Sequence, residues 1–174
     1  MQHAQKPILG FAAASGTGKT TLLTQLIPLL KQHGLRVGLI KHSHHSFAID
    51  QPGKDSYRLR MAGASPVMLV SKYRYAIINE FETPEEPRLD QQLNILDQSG
   101  LDLILVEGFK AEKFPKIELH RPSLQRPLLY PHDPTIIAIA TDSPIETPTH
   151  LANLDLNRAD LIARFILDRY REFT

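Results

Sequence analysis

The chain contains no cysteine and no tryptophan. The missing thiols exclude disulfides, a thiolate nucleophile and any cysteine-based zinc site. An excess of either charge is missing too: 20 Lys and Arg stand against 19 Asp and Glu, a formal net charge of +1. No bulk field therefore draws the chain to nucleic acid or to an anionic membrane, and neither is expected as a partner. No run approaches the roughly 20 apolar residues that a membrane span needs. One stretch imitates a secretion signal, Lys6 followed by the apolar run 8–14 with its Ala12-x-Ala14 step. It is short, lacks a strongly basic leader and runs directly into a glycine-rich loop, so it reads as a strand, and the cytoplasm is the expected compartment. What remains is 174 residues, 42% of them hydrophobic, enough for one globular domain with a proper core.

Short apolar runs recur at 8–13, 37–40, 67–70, 76–78, 103–106, 117–119 and 136–140, and the segments between them carry helical patterns. Unbroken runs such as Leu103-Ile104-Leu105-Val106 suit strands covered on both faces, and helices between strands imply crossovers. The expected fold is α/β and P-loop NTPase-like: a mostly parallel sheet with helices on both faces, plus an added β-hairpin at about 67–80, all in a single nucleotide-binding domain over 1–174. Leu22, Leu23, Leu26, Ile27 and Leu30 predict a first helix from Gly18 to about His33, bent at Pro28 and stopped by Gly34. Asn157 is the expected N-cap of a last helix, with Asp160 in its first turn and an apolar face of Leu161, Ile162, Phe165, Ile166 and Tyr170.

Ala13-Ala14-Ser15-Gly16-Thr17-Gly18-Lys19-Thr20, between a strand and an amphipathic helix, carries the strongest chemical signal. Glycines let successive backbone N–H groups turn onto an anion, and the helix N-terminus adds partial positive charge. Lys19 reaches the outer phosphates, and Thr20 offers a hydroxyl to Mg2+. Ala13 stands where the motif usually has its first glycine. An acid is needed at the end of another strand, and Glu107, followed by Gly108, is the candidate; Asp102 begins that strand and falls at the wrong end.

After the second strand come Lys41-His42-Ser43-His44-His45 and Asp50-Gln51-Pro52-Gly53-Lys54-Asp55-Ser56. Such a loop at the ligand edge suits sensing of a γ-phosphate, with Asp50 or Asp55 completing the Mg2+ shell. The histidines match no common helical zinc spacing. Arg58 and Arg60 read equally as a solvated helix face or as functional groups. Asp142 closes the run at 136–140 and either accepts from the N1 and N2 donors of guanine or is a turn residue; no [NT]-K-x-D sequence is present. Neither a water-orienting glutamine near the loop nor an obvious arginine finger is legible.

Together these pieces resemble the MobB family, the molybdopterin-guanine dinucleotide biosynthesis protein B family. The likeness rests on Ser15-Gly16-Thr17-Gly18-Lys19-Thr20-Thr21, Gly38-Leu39-Ile40-Lys41-His42 with His44-His45, Pro52-Gly53-Lys54-Asp55-Ser56, Ala62-Gly63-Ala64 and Leu103-Ile104-Leu105-Val106-Glu107-Gly108-Phe109-Lys110. It covers most of 8–110, and the last third only in its strand-then-helix pattern and Ala140-Thr141-Asp142. The resemblance implies GTP with Mg2+ as ligands, weak hydrolysis and a homodimer. It also implies an adaptor role beside the guanylyltransferase that attaches GMP to molybdopterin, with molybdenum-insertion proteins as further partners. The expected nucleotide set is Ser15, Gly16, Thr17, Gly18, Lys19, Thr20, Thr21, Lys41, His42, Gly108 and Asp142. Thr20, Asp50 and Glu107 form the metal set, and Asp50, Asp55 and Glu107 are the carboxylates available for catalysis. A small-molecule kinase and a non-hydrolysing nucleotide carrier are the alternatives; no arginine-rich insertion of lid length favours the kinase.

Overall fold

The structure, a computed structural model, describes residues 1–43 and 46–173. It divides into a unit of Met1–His42 with Pro87–Thr174 and a smaller unit, Ser43–Glu86. The larger unit holds strands β1 (Ile8–Ala13) and β2 (Val37–Lys41), helix α1 (Lys19–Gln32) between them, and later β5 (Leu103–Glu107), β6 (Lys116–His120), β7 (Ile136–Thr141) and β8 (Ala152–Asp155). These form one six-stranded sheet in the order β2-β5-β1-β6-β7-β8, parallel at every pairing. All six residues of β1 are buried. That burial follows from its position: β5 and β6 flank it, and both faces of the sheet are covered.

On one face Leu22, Leu23, Leu26 and Leu30 of α1 join Ile162, Ala163 and Ile166 of α4 (Ala159–Arg169) over Leu9, Phe11 and Leu105. On the other, Leu89 and Leu93 of α3 (Leu89–Ile95) meet Ile8, Ile104 and Val106. The expected helices on both faces are present. α1 runs through Pro28. α4 departs from expectation at two points. Its cap residue is Arg158, without a side-chain cap bond. The Asn157 N–H is instead taken by the Asp155 carboxylate, at 2.8 Å. Leu161 is exposed, and Ala159 and Ala163 fill the buried stripe in its place.

The smaller unit contains α2 (Asp55–Met61) and an antiparallel hairpin of β3 (Val67–Val70) and β4 (Tyr75–Ile78). The hairpin was expected, and its turn closes where Ser71 N–H donates to the Arg74 carbonyl at 2.9 Å. The unit has little core: none of α2 is buried, and Met68, Val70, Tyr73, Tyr75 and Ile77 are exposed. Among the described residues no helix is long and apolar enough to cross a membrane.

Because the large sheet is parallel, Ala13, Lys41, Glu107, His120 and Thr141 end their strands at one edge. Open α/β sheets bind their ligands at that edge.

Candidate functional site

β1 ends at Ala13 and α1 begins at Lys19, so five residues make the turn. Gly16 and Gly18 have φ of 81° and 97°, a left-handed conformation that favours glycine. Thr17 ties the loop to itself, its hydroxyl donating to the Ala14 carbonyl at 2.8 Å. The first turn of α1 leaves backbone N–H groups without helical partners, directed at the strand edge. Thr20 and Thr21 are exposed there.

Glu107 ends β5, the neighbour of β1. In the β2–β5 register it lies opposite Lys41. Its Oε1 is 3.6 Å from Lys19 Nζ and 3.3 Å from Lys41 Nζ. One largely buried carboxylate thus holds both lysines expected to meet phosphate. His42 N–H donates to the Glu107 carbonyl at 2.8 Å, and the His42 and Phe109 rings lie 4.8 Å apart. Gly108 between them has φ of 98°, and a Cβ there would fall 2.7 Å from that of His42. The glycine is required twice, by conformation and by this close approach. Asp102 lies just before β5 and pairs with Arg36 at 2.9 Å, which holds its carboxyl well below the usual range. It lies at the end away from the loop, as its position before the strand implies.

On the other flank of β1, Arg121 follows β6. Its Nε donates to the Thr17 carbonyl at 2.8 Å, and its Nη1 donates to Asp142 Oδ2. Sequence reading found no arginine for this loop, because nothing local marks Arg121: it opens a proline-rich segment, and only the β1–β6 pairing brings it to Thr17. That segment is held down by Glu118, a buried carboxylate on β6 that accepts from the N–H groups of Leu129 (2.7 Å) and Tyr130 (2.9 Å). Burial pushes the Glu118 carboxyl up, against those two bonds.

The remaining acids lie in the 43–86 unit. Asp50 is buried, accepts from the Ser56 hydroxyl at 2.8 Å and lies 3.6 Å from Arg60. Arg60 also pairs with Glu80, so it links α2 to acids on both sides of it in sequence and is not a solvated helix face. Asp55 is exposed on α2, 3.9 Å from Arg58. His44 and His45 lie outside the described residues. Among those described, no group of three or more metal-binding side chains occurs.

The family described as "Molybdopterin guanine dinucleotide synthesis protein B" matches residues 8–142. A molybdopterin-guanine dinucleotide biosynthesis adapter protein from Escherichia coli is 48% identical over 165 residues, 93% of this chain and 92% of the relative. Its counterpart from Haemophilus influenzae is 47% identical over 163 residues, 93% of this chain and 88% of the relative. Among solved structures, a molybdopterin-guanine biosynthesis protein B superimposes with a TM-score of 0.71 at 26% identity, covering 92% of this chain and 98% of the other. A MobB homologue from Bacillus stearothermophilus gives 0.69 at 25%, covering 95% and 98%.

Proposed function

Since the chain belongs to the MobB family of molybdopterin-guanine dinucleotide biosynthesis, we propose that it is a GTP-binding adaptor with slow GTPase activity that assists the guanylyltransferase of that pathway. The observation that carries the nucleotide reading is the meeting of Lys19, Lys41 and Glu107 beside the glycine turn. Phosphates entering the turn displace the carboxylate from both ammonium groups. Glu107, so released, and the exposed Thr20 hydroxyl then form an oxygen donor set of the hard kind that Mg2+ prefers. Bound Mg2+ would supply charge neutralisation between the outer phosphates. Asp142, at the end of β7, is the acceptor for a base edge. Slow turnover fits the sequence of the loop, since residues 14–21 contain no glutamine to orient water.

Product analysis with MgGTP, molybdopterin and the guanylyltransferase tests the reading. Phosphate release together with stimulated dinucleotide synthesis supports it. Phosphoryl transfer to an acceptor would instead establish a kinase, and tight binding without turnover a carrier. The adaptor is further proposed to work as a homodimer, because the hairpin leaves Met68, Val70, Tyr73, Tyr75 and Ile77 exposed and two-stranded hairpins are marginal alone. Sedimentation at micromolar concentration is expected to show a dimer that Val70→Asp dissociates; a wild-type monomer at that concentration rejects it.

A further inference from the structure

Two features on the β6–β7 flank of the loop are unaccounted for by phosphate binding at Lys19. The first is a guanidinium already seated on the loop: Arg121 Nε donates to the Thr17 carbonyl, and Nη2 lies 3.5 Å from where a Cβ on Gly18 would stand. The second is an unpartnered acceptor. Asp142 Oδ2 accepts from Arg121 Nη1, while its Oδ1 is buried and accepts no hydrogen bond. A buried acceptor without a donor is costly, and such groups in native structures are normally partnered.

The strand order places these features. Lys19, Lys41 and Glu107 gather on the β5 side of β1, where the terminal phosphates and metal belong. Arg121 and Asp142 lie on the opposite, β6–β7 side, toward which the nucleoside end of the ligand must extend. We propose that Arg121 is a second cationic arm of the nucleotide site. On binding, it pivots on Thr17, leaves Asp142 and turns its fork onto the α-phosphate. Both oxygens of Asp142 then become free for a base edge that presents two donors, as the N1–H and 2-amino groups of guanine do; the adenine edge, with one acceptor and one donor, does not match. Neither group is left unpaired by the exchange. Arg121 trades a mostly buried carboxylate for a phosphate, on which its fork is bidentate and charge-assisted, and Asp142 trades one guanidinium for two N–H donors. One guanidinium thereby couples base choice to phosphate grip.

This inference rests on the GTP reading above, and the experiment separates the two. Calorimetry on the full chain compares wild type, Lys19→Ala, Arg121→Ala, Arg121→Lys and Asp142→Asn with the Mg2+ complexes of GTP, GDP, XTP and ATP. Arg121→Ala is expected to weaken GTP and GDP by the same factor, about 10- to 100-fold, the size of a charge-assisted bond. Arg121→Lys recovers little of this, because an ammonium lacks the fork. Asp142→Asn is expected to shift preference from GTP toward XTP, whose base offers an acceptor where guanine has its 2-amino group. GTP and GDP affinities within twofold of wild type in Arg121→Ala, with only a lowered melting temperature, make the arginine a structural tie and overturn the inference. A loss confined to GTP moves it to the γ-phosphate and overturns it equally. Failure of wild type to bind any of the four nucleotides removes the GTP reading itself, and Arg121's role with it.

Discussion

Lys19→Ala is expected to lower GTP affinity in Mg2+ by about 100- to 1,000-fold, a loss of roughly 3–4 kcal/mol at 1.4 kcal/mol per tenfold. Losing one partner of a desolvated charge pair costs about 2–5 kcal/mol. The fold should be untouched, for a reason visible in the site. Removing Lys19 does not orphan Glu107, because Lys41 remains 3.3 Å from the same oxygen. The α1 face that anchors the helix, Leu22, Leu23, Leu26 and Leu30, lies beyond the substitution. Urea midpoints of variant and wild type should agree to within about 0.5 kcal/mol, while calorimetry separates them. Unchanged affinity would remove the phosphate assignment.

The second large effect concerns stability and lies at the other end of the sheet. Lys116 begins β6 and is almost wholly buried, 2% exposed, its stem packed against Gly10 and its ammonium 4.8 Å from the Phe114 ring centroid. That ammonium donates to Asp133 Oδ2 at 2.9 Å, to the Thr135 hydroxyl at 2.8 Å and to the Glu112 carbonyl at 2.6 Å. Asp133 supplies the only full negative charge among these three acceptors. Asp133→Ala therefore leaves a buried cation without a counter-charge, and a loss of about 3–5 kcal/mol is expected in urea unfolding. Lys116→Met, which keeps an apolar stem and leaves Asp133 part-exposed to water, should cost distinctly less. Equal costs would show that packing and not charge dominates.

The pH dependence of that difference has a definite sign. Burial raises the Asp133 carboxyl, but the Thr135 hydroxyl and Lys116 outweigh it, and the net shift is downward. An acid depressed in the folded state stabilises fully above its unfolded pKa, about 3.9, and loses that contribution as pH falls through the folded value. The gap between wild type and Asp133→Ala should stay constant from pH 7 to about 5 and narrow below about 4.

Continuous apolar runs made the interior strands legible. β1 matches its expected span at both ends, and β5 and β7 extend the expected run by one residue each. These strands are covered on both faces, so nearly every residue had to be apolar. β8 was illegible for the opposite reason. At the sheet edge Ala152–Asp155 alternates half-buried and exposed positions, and its sequence, Ala-Asn-Leu-Asp, resembles a loop. α2 and α3, seven residues each, are too short to show a helical period. Glu107 could be read as an acid at a strand end. Its pairing with Lys41 could not, because that depends on β2 lying beside β5, and Arg121 depends likewise on β6 lying beside β1. Local composition reports what a segment is; neighbours across a sheet are settled by long-range closure, which leaves no local trace.

The two lysines on Glu107 also constrain the order in which the crevice is loaded. Glu107 serves as an internal stand-in for phosphate, a single carboxylate shared by two ammonium groups that together leave one positive charge in excess. Under the proposed GTP reading, free Mg2+ approaching first would meet those cations and be repelled, and nucleotide without metal would eject the carboxylate and leave it facing the phosphates, anion against anion. The two together would relieve both conflicts, and the crevice would act as a coincidence detector. A titration with MgCl2 alone should be thermally silent, and GTP in EDTA should bind far more weakly than MgGTP.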